Sequence, residues 1–157
     1  MIIREALRLS SLNDRLEIME LFSRYLLCLD ERRFSIDDFA KIFTQDVKIS
    51  MPSKMPSMKR ANGLKELHDV YASVMLQSGF THHVSSDYVF DFVSNTEANV
   101  RCNMSVYYNL FDKDISGGQR SNFLISAVNF RAVSVNEKWQ IKELAVNVKC
   151  SYRLPVI

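Results

Sequence analysis

From Phe80 almost to the C-terminus, polar and apolar side chains alternate with a period of two. That period belongs to half-buried strands, so the second half of the chain must lie in a sheet with one face dry. Four segments follow: Phe80–Val93, Glu97–Phe111, Gln119–Val135 and Lys138–Tyr152. Their connectors are Ser94-Asn95-Thr96, Asp112–Gly118 and Asn136-Glu137, short enough for hairpins, which predicts an antiparallel meander. In Glu97–Phe111 the buried set is Ala98, Val100, Cys102, Met104, Val106, Tyr108 and Leu110. Tyr108 thus stands on the dry face.

The first half has a helical rhythm. Residues 1–10 read as a short lead-in. Leu12 to about Asp30 reads as an amphipathic helix with Leu12, Leu16, Met19, Phe22, Leu26 and Leu29 as its stripe, widened by Ile18, Leu21 and Tyr25. Ser35-Ile-Asp-Asp38 resembles a capping box opening a short helix to Phe43. Asp46–Met51 alternates as a strand, and residues 52–63 read as a loop whose methionines, Met51, Met55 and Met58, suit a lid over an apolar pocket or an ordinary surface loop. A third helix runs from Leu64 to about Gln77, and Gly79 ends it. Helices first and a sheet last is the α+β order. With no repeat, linker or low-complexity tract, residues 1–157 are expected to form a single domain.

Composition excludes several function classes. A net charge of +2 with scattered basic residues gives no nucleic-acid footprint. No run of ~18 apolar residues is present, so no membrane span is expected. The N-terminus lacks the layout of a secretory signal, and Cys28, Cys102 and Cys150 form neither a disulfide framework nor a Cys-x-x-Cys site. A reducing, cytoplasmic setting is therefore expected, with no metal.

Arg24-Tyr25-Leu-Leu-Cys28-Leu29-Asp30 ends the long helix with an acid. A carboxylate there meets the negative end of the helix dipole and needs either water or a cationic partner. A solvated acid is the commoner reading. The best partner on offer is His83 in Thr81-His82-His83-Val84, whose neighbour His82 points to the opposite face of a regular strand. For His83 the ordinary alternative is a satisfied sheet histidine.

The element order, Tyr25-x4-Asp30, Thr81-x-His83 and Trp139-Gln-Ile141 together resemble the SnoaL-like branch of the nuclear transport factor 2-like superfamily, over about residues 10–152. The resemblance implies a cone-shaped roll: a curved antiparallel sheet wrapped around three N-terminal helices, with a pocket open at one end. Tyr25 to Asp30 is most similar to bile-acid 7α-dehydratase and scytalone dehydratase, and hexachlorocyclohexane dehydrochlorinase is also similar. In these enzymes the matching aspartate works with the histidine that His83 matches. The tyrosine matching Tyr25 is an active-site residue in the bile-acid enzyme. Where scytalone dehydratase carries a second histidine on the next strand, this chain has Tyr108.

The resemblance implies a cofactor-independent lyase or isomerase acting on a small apolar cyclic metabolite such as a polyketide or sterol. His83 and Asp30 would form the acid–base dyad, with Tyr25 or Tyr108 at the substrate oxygen. Asn122, Asn129 and Asn147 are further candidates for a pocket wall, and Lys149 lies near a substrate-side arginine of the bile-acid enzyme. A homo-oligomer, dimer or trimer, is implied as well. The rival expectation is a non-catalytic binding or interaction module, including one like a dioxygenase small subunit, which predicts an exposed apolar sheet face and no Asp30–His83 contact.

Overall fold

The structure, a computed structural model, describes residues 2–51, 60–75, 78–111 and 119–153. The elements are α1 (Ile2–Asp30), α2 (Ile36–Ala40), β1 (Phe43–Ser50), β2 (Arg60–Asn62), α3 (Leu64–Met75), β3 (Ser78–Ser94), β4 (Glu97–Phe111), β5 (Gln119–Val135) and β6 (Lys138–Arg153). The six strands form one sheet in the order β2-β1-β6-β5-β4-β3. The predicted meander is β3 to β6, with antiparallel pairing at each step. The sheet as a whole is mixed, because β1 joins β6 in parallel while β2 pairs β1 antiparallel. Part of the expected loop is thus a strand, and Gly79 lies inside β3 rather than closing α3. The expected methionine lid and the Gly117-Gly118 connector lie outside the described residues.

Sheet curvature comes from irregularities in the ladders. On β3, Asp87 takes φ 57° beside a register shift between Ser86 and Val89. An aspartate tolerates this left-handed region better than most residues. Its carboxylate accepts from Ser86 Oγ (2.8 Å) and Asn103 Nδ2 (2.9 Å), which holds the bulge. The extra residue reverses the parity of the strand. Thr81, His83 and Ser85 face inward before it, and Tyr88, Phe90 and Phe92 after it. β6 carries register shifts opposite Ile125/Ser126 and Arg131/Ala132.

The inner face closes on α1. Ile18, Leu21, Phe22, Tyr25, Leu26, Cys28 and Leu29 are its buried residues. Phe22 stacks on Phe130 of β5 with centroids 4.9 Å apart. Leu12 and Leu16, expected in the stripe, are more than half exposed. Their turn of α1 meets the sheet instead through Asp14 and Arg15. Asp14 accepts from Trp139 Nε1 at 3.1 Å, and the Arg15 guanidinium lies over Phe90 and Phe92. Polar side chains there took the positions that periodicity had assigned to leucines.

Gly63 lets β2 turn into α3. Its φ is +87°, its N–H donates to Val47 O at 2.7 Å, and a Cβ would come within 3.3 Å of Gln45 O. No described helix is long and apolar enough to cross a membrane.

Candidate active site

The C-terminus of α1 ends in a Schellman turn. The Arg33 N–H donates to Cys28 O (2.8 Å), the Arg32 N–H to Leu29 O (3.3 Å), and Arg32 has φ 58°. Arg32 also donates a side-chain hydrogen bond to Gly79 O. This turn leaves Asp30 as the last helical residue, facing β3.

Asp30 accepts twice from one residue. Oδ1 lies 2.6 Å from His83 Nδ1, and Oδ2 accepts the His83 backbone N–H at 2.9 Å. The Asp30 side chain is 15 % exposed and that of His83 is 7 % exposed. Thr81 Oγ1 donates to Leu29 O alongside. Burial works to raise the Asp30 pKa, but the hydrogen bonds from the His83 ring and backbone outweigh it and hold the carboxyl below its usual value. An ionised Asp30 only accepts, so Nδ1 carries the proton it shares, and no described residue hydrogen-bonds Nε2. His82 is exposed, stacks on Phe80, and stands 3.9 Å from Asp30 Oδ2.

The register sets what surrounds the ring. His83 shares an inner-face ladder with Val106, Leu124 and Ser151. One ladder on, Thr81, Tyr108, Asn122 and Arg153 align; on the other side, Ser85, Met104, Ser126 and Val148. The inner face is closed at Ala98, Ala132 and Ile141, and opens toward Tyr108, Asn122 and Ser151, which are half-buried or exposed. Burial raises the Tyr108 pKa, so its hydroxyl stays protonated. Ser126 Oγ is buried and has no hydrogen-bond partner among the described residues.

Tyr25 is in the aromatic core, 2 % exposed, edge-on to Phe43, with its hydroxyl bonded to that of Tyr71. Burial raises both phenols well above their ordinary value, so both remain neutral. Sequence reasoning left Tyr71 as one apolar residue of α3; its chemical role appears only when α1 and α3 are packed together. Asn122 is on the inner face, while Asn129 and Asn147 are on the outer, and Lys149 is exposed beside the β6 irregularity. No three His, Cys, Asp or Glu side chains among the described residues gather closely enough to hold a metal ion.

The family described as SnoaL-like domain matches residues 10–145. No curated protein sequence matches. Among solved structures, a type 2 hexachlorocyclohexane dehydrochlorinase superposes with a TM-score of 0.81 at 19% identity, covering 96% of this chain and 95% of that one. A protein from Novosphingobium aromaticivorans provisionally assigned as a scytalone dehydratase gives 0.77 at 20%, covering 94% and 92%. A nuclear transport factor 2-like protein with a cystatin-like fold from the same organism gives 0.71 at 19%, covering 95% and 90%. At these identities the similarity shows the fold, the α+β cone expected from the sequence.

Proposed function

Since this chain belongs to the SnoaL-like domain family, a lyase- and isomerase-type enzyme family by its neighbours, we propose that it is itself such an enzyme, working without a cofactor. One observation carries the reading: Asp30 takes both N–H groups of His83, which leaves Nε2 free. The inner face around that ladder is half-open and mixes apolar side chains, Met104, Val106, Leu124 and Val148, with Tyr108, Asn122 and Ser151. It suits a small apolar cyclic metabolite of polyketide or sterol type.

In the proposed step, His83 Nε2 removes a proton from a carbon next to a carbonyl. Asp30 stabilises the resulting imidazolium. The carbanion's electron pair forms a C=C bond as a β-hydroxyl leaves, and the proton held on Nε2 passes to that oxygen to give water. In an isomerisation the same proton returns to a different carbon. Tyr108 donates to the carbonyl oxygen as negative charge builds. Tyr25 is the deeper candidate: in its buried pair with Tyr71 one hydroxyl donates to the other, and the second proton would meet a substrate oxygen only where the substrate enters that aromatic core. The proposal includes one domain over residues 1–157 and a homo-oligomer, dimer or trimer, in the cytoplasm.

A panel of cyclic β-hydroxy ketones, followed by absorbance of the conjugated enone, tests the chemistry. Asp30→Asn and His83→Ala should each lower turnover by about 10²–10⁴-fold while the far-UV circular dichroism is kept. Turnover retained in both variants sinks the mechanism.

A second reading, an interaction module, draws on the outer sheet face, where Phe80, Val84, Ile125 and Tyr152 are exposed. That reading also expects Asp30 and His83 to be apart, and they are in contact. The enzyme reading is therefore preferred.

A further inference from the structure

The outer face of the sheet carries a cavity of about 670 Å³, on the opposite side of the sheet from the inward-facing His83. Its size falls in the range of small-molecule sites. Two complete cross-strand ladders line it. The first runs Val89, Arg101, Asn129, Ala145, Ser50, Arg60 across all six strands. The second runs Asp91, Asn99, Arg131, Glu143, Lys48, Asn62.

The ladders differ in charge. In the second, positive and negative groups are interspersed, and Arg131 is held between Glu143 (2.6 Å) and Glu97 (3.1 Å). The first contains two arginines and no acid. Neither Arg60 nor Arg101 makes an ion pair among the described residues, and both are exposed. Between them lie short side chains, Asn129, Ala145 and Ser50, which keep the floor low. Four strand spacings separate the two arginines, roughly 19 Å along the sheet. A ligand that bridges both requires each long side chain to lean inward over that floor. Guanidinium forks favour carboxylate and phosphate groups.

We propose that this trough binds an extended organic dianion, with one carboxylate or phosphate on Arg60 and the other on Arg101. The hydrogen-bonding floor is supplied by Asn129 and Ser50. The site does not depend on the chemistry assigned to Asp30 and His83.

Isothermal titration with adipate and with fructose 1,6-bisphosphate tests it and tells carboxylate from phosphate, with 1,6-hexanediol as the neutral control. Saturable binding of at least one dianion is expected, weakening with added salt, and none of the diol. Arg60→Gln and Arg101→Gln, both at exposed positions, should each weaken that binding at least tenfold. Absence of saturable binding, or wild-type affinity in either variant, overturns the proposal. So does an Arg101→Glu variant that changes the sedimentation coefficient while the wild type binds neither dianion, since the trough would then be a contact between copies of the chain.

Discussion

Asp30 shows how one residue's position fixes its chemistry. At the end of α1 it would be repelled by the helix dipole, and His83 offsets that by donating twice. The carboxyl therefore titrates below its ordinary value of ~3.9. The unfolded chain binds the proton more tightly than the native one. The contribution to stability is thus full above the unfolded pKa and is lost as pH falls through the lower folded value. In urea denaturation, the stability gap between wild type and Asp30→Asn should narrow below about pH 4. A gap that stays constant down to about pH 2 would contradict the assignment. The Tyr25–Tyr71 pair allows a second test. Tyr71→Phe leaves a buried hydroxyl without its partner and should cost about 1–3 kcal/mol in chemical denaturation. Adding Tyr25→Phe should recover much of that loss, because no orphaned hydroxyl remains. Of these contacts, the Asp30–His83 contact was legible, because an acid at a helix end and one well-spaced histidine stand out in the sequence. Tyr71 was not, since an aromatic on an apolar helix face looks the same whether or not its hydroxyl has a partner.

At the level of elements, β4 and β5 run over the segments read from alternation alone, and β3 and β6 differ from them by at most two residues. Period two is a local signal, and two-residue turns bound it sharply. The parallel entry of β1 beside β6 was not legible, because pairing between distant segments leaves no mark on either one. Nor was the parity change in β3, which a single residue makes. Asn136 and Glu137 both have positive φ, the signature of a type I′ hairpin turn. Asn suits that conformation and Glu does not. Glu137→Gly should therefore raise stability by roughly 0.5–1 kcal/mol, the relief of left-handed strain less the entropy of glycine. A thermal melt reads this directly, and a lower melting temperature would argue against the turn. The bulge at Asp87 predicts a sharper contrast. Asp87→Gly keeps the backbone conformation and should fold. Deleting Asp87 removes the extra residue, so either Thr81, His83 and Ser85 or Tyr88, Phe90 and Phe92 must turn outward. The deletion should abolish the cooperative melt. A deletion variant that still melts cooperatively would mean that the bulge does not set the parity.

The whole molecule is tied together at Trp139, the single tryptophan of the chain. It lies on β6, donates to Asp14 of α1 and packs edge-on against Phe92 near the end of β3, with centroids 6.3 Å apart. First helix, first long strand and last strand thus meet at one indole. At the C-terminus of α1, Arg32 and Asp30 fasten the helix to the start of β3. Held from Asp14 to its C-terminus against a continuous sheet, α1 leaves no seam among the described residues along which half of the molecule would open alone. The proposed single domain should therefore unfold as one cooperative unit, and the indole is placed to report it. Tryptophan fluorescence, which reads the closed end of the cone, and far-UV circular dichroism, which reads the whole backbone, should give urea transitions with the same midpoint and slope. In Trp139→Phe the Asp14 carboxylate loses its donor, and the midpoint by circular dichroism should fall by an amount corresponding to about 1–3 kcal/mol, with the transition still single. Two separated transitions in the wild type would show that the α1–β6 contact is a boundary between units, and the proposed single domain over residues 1–157 would then have to be divided there.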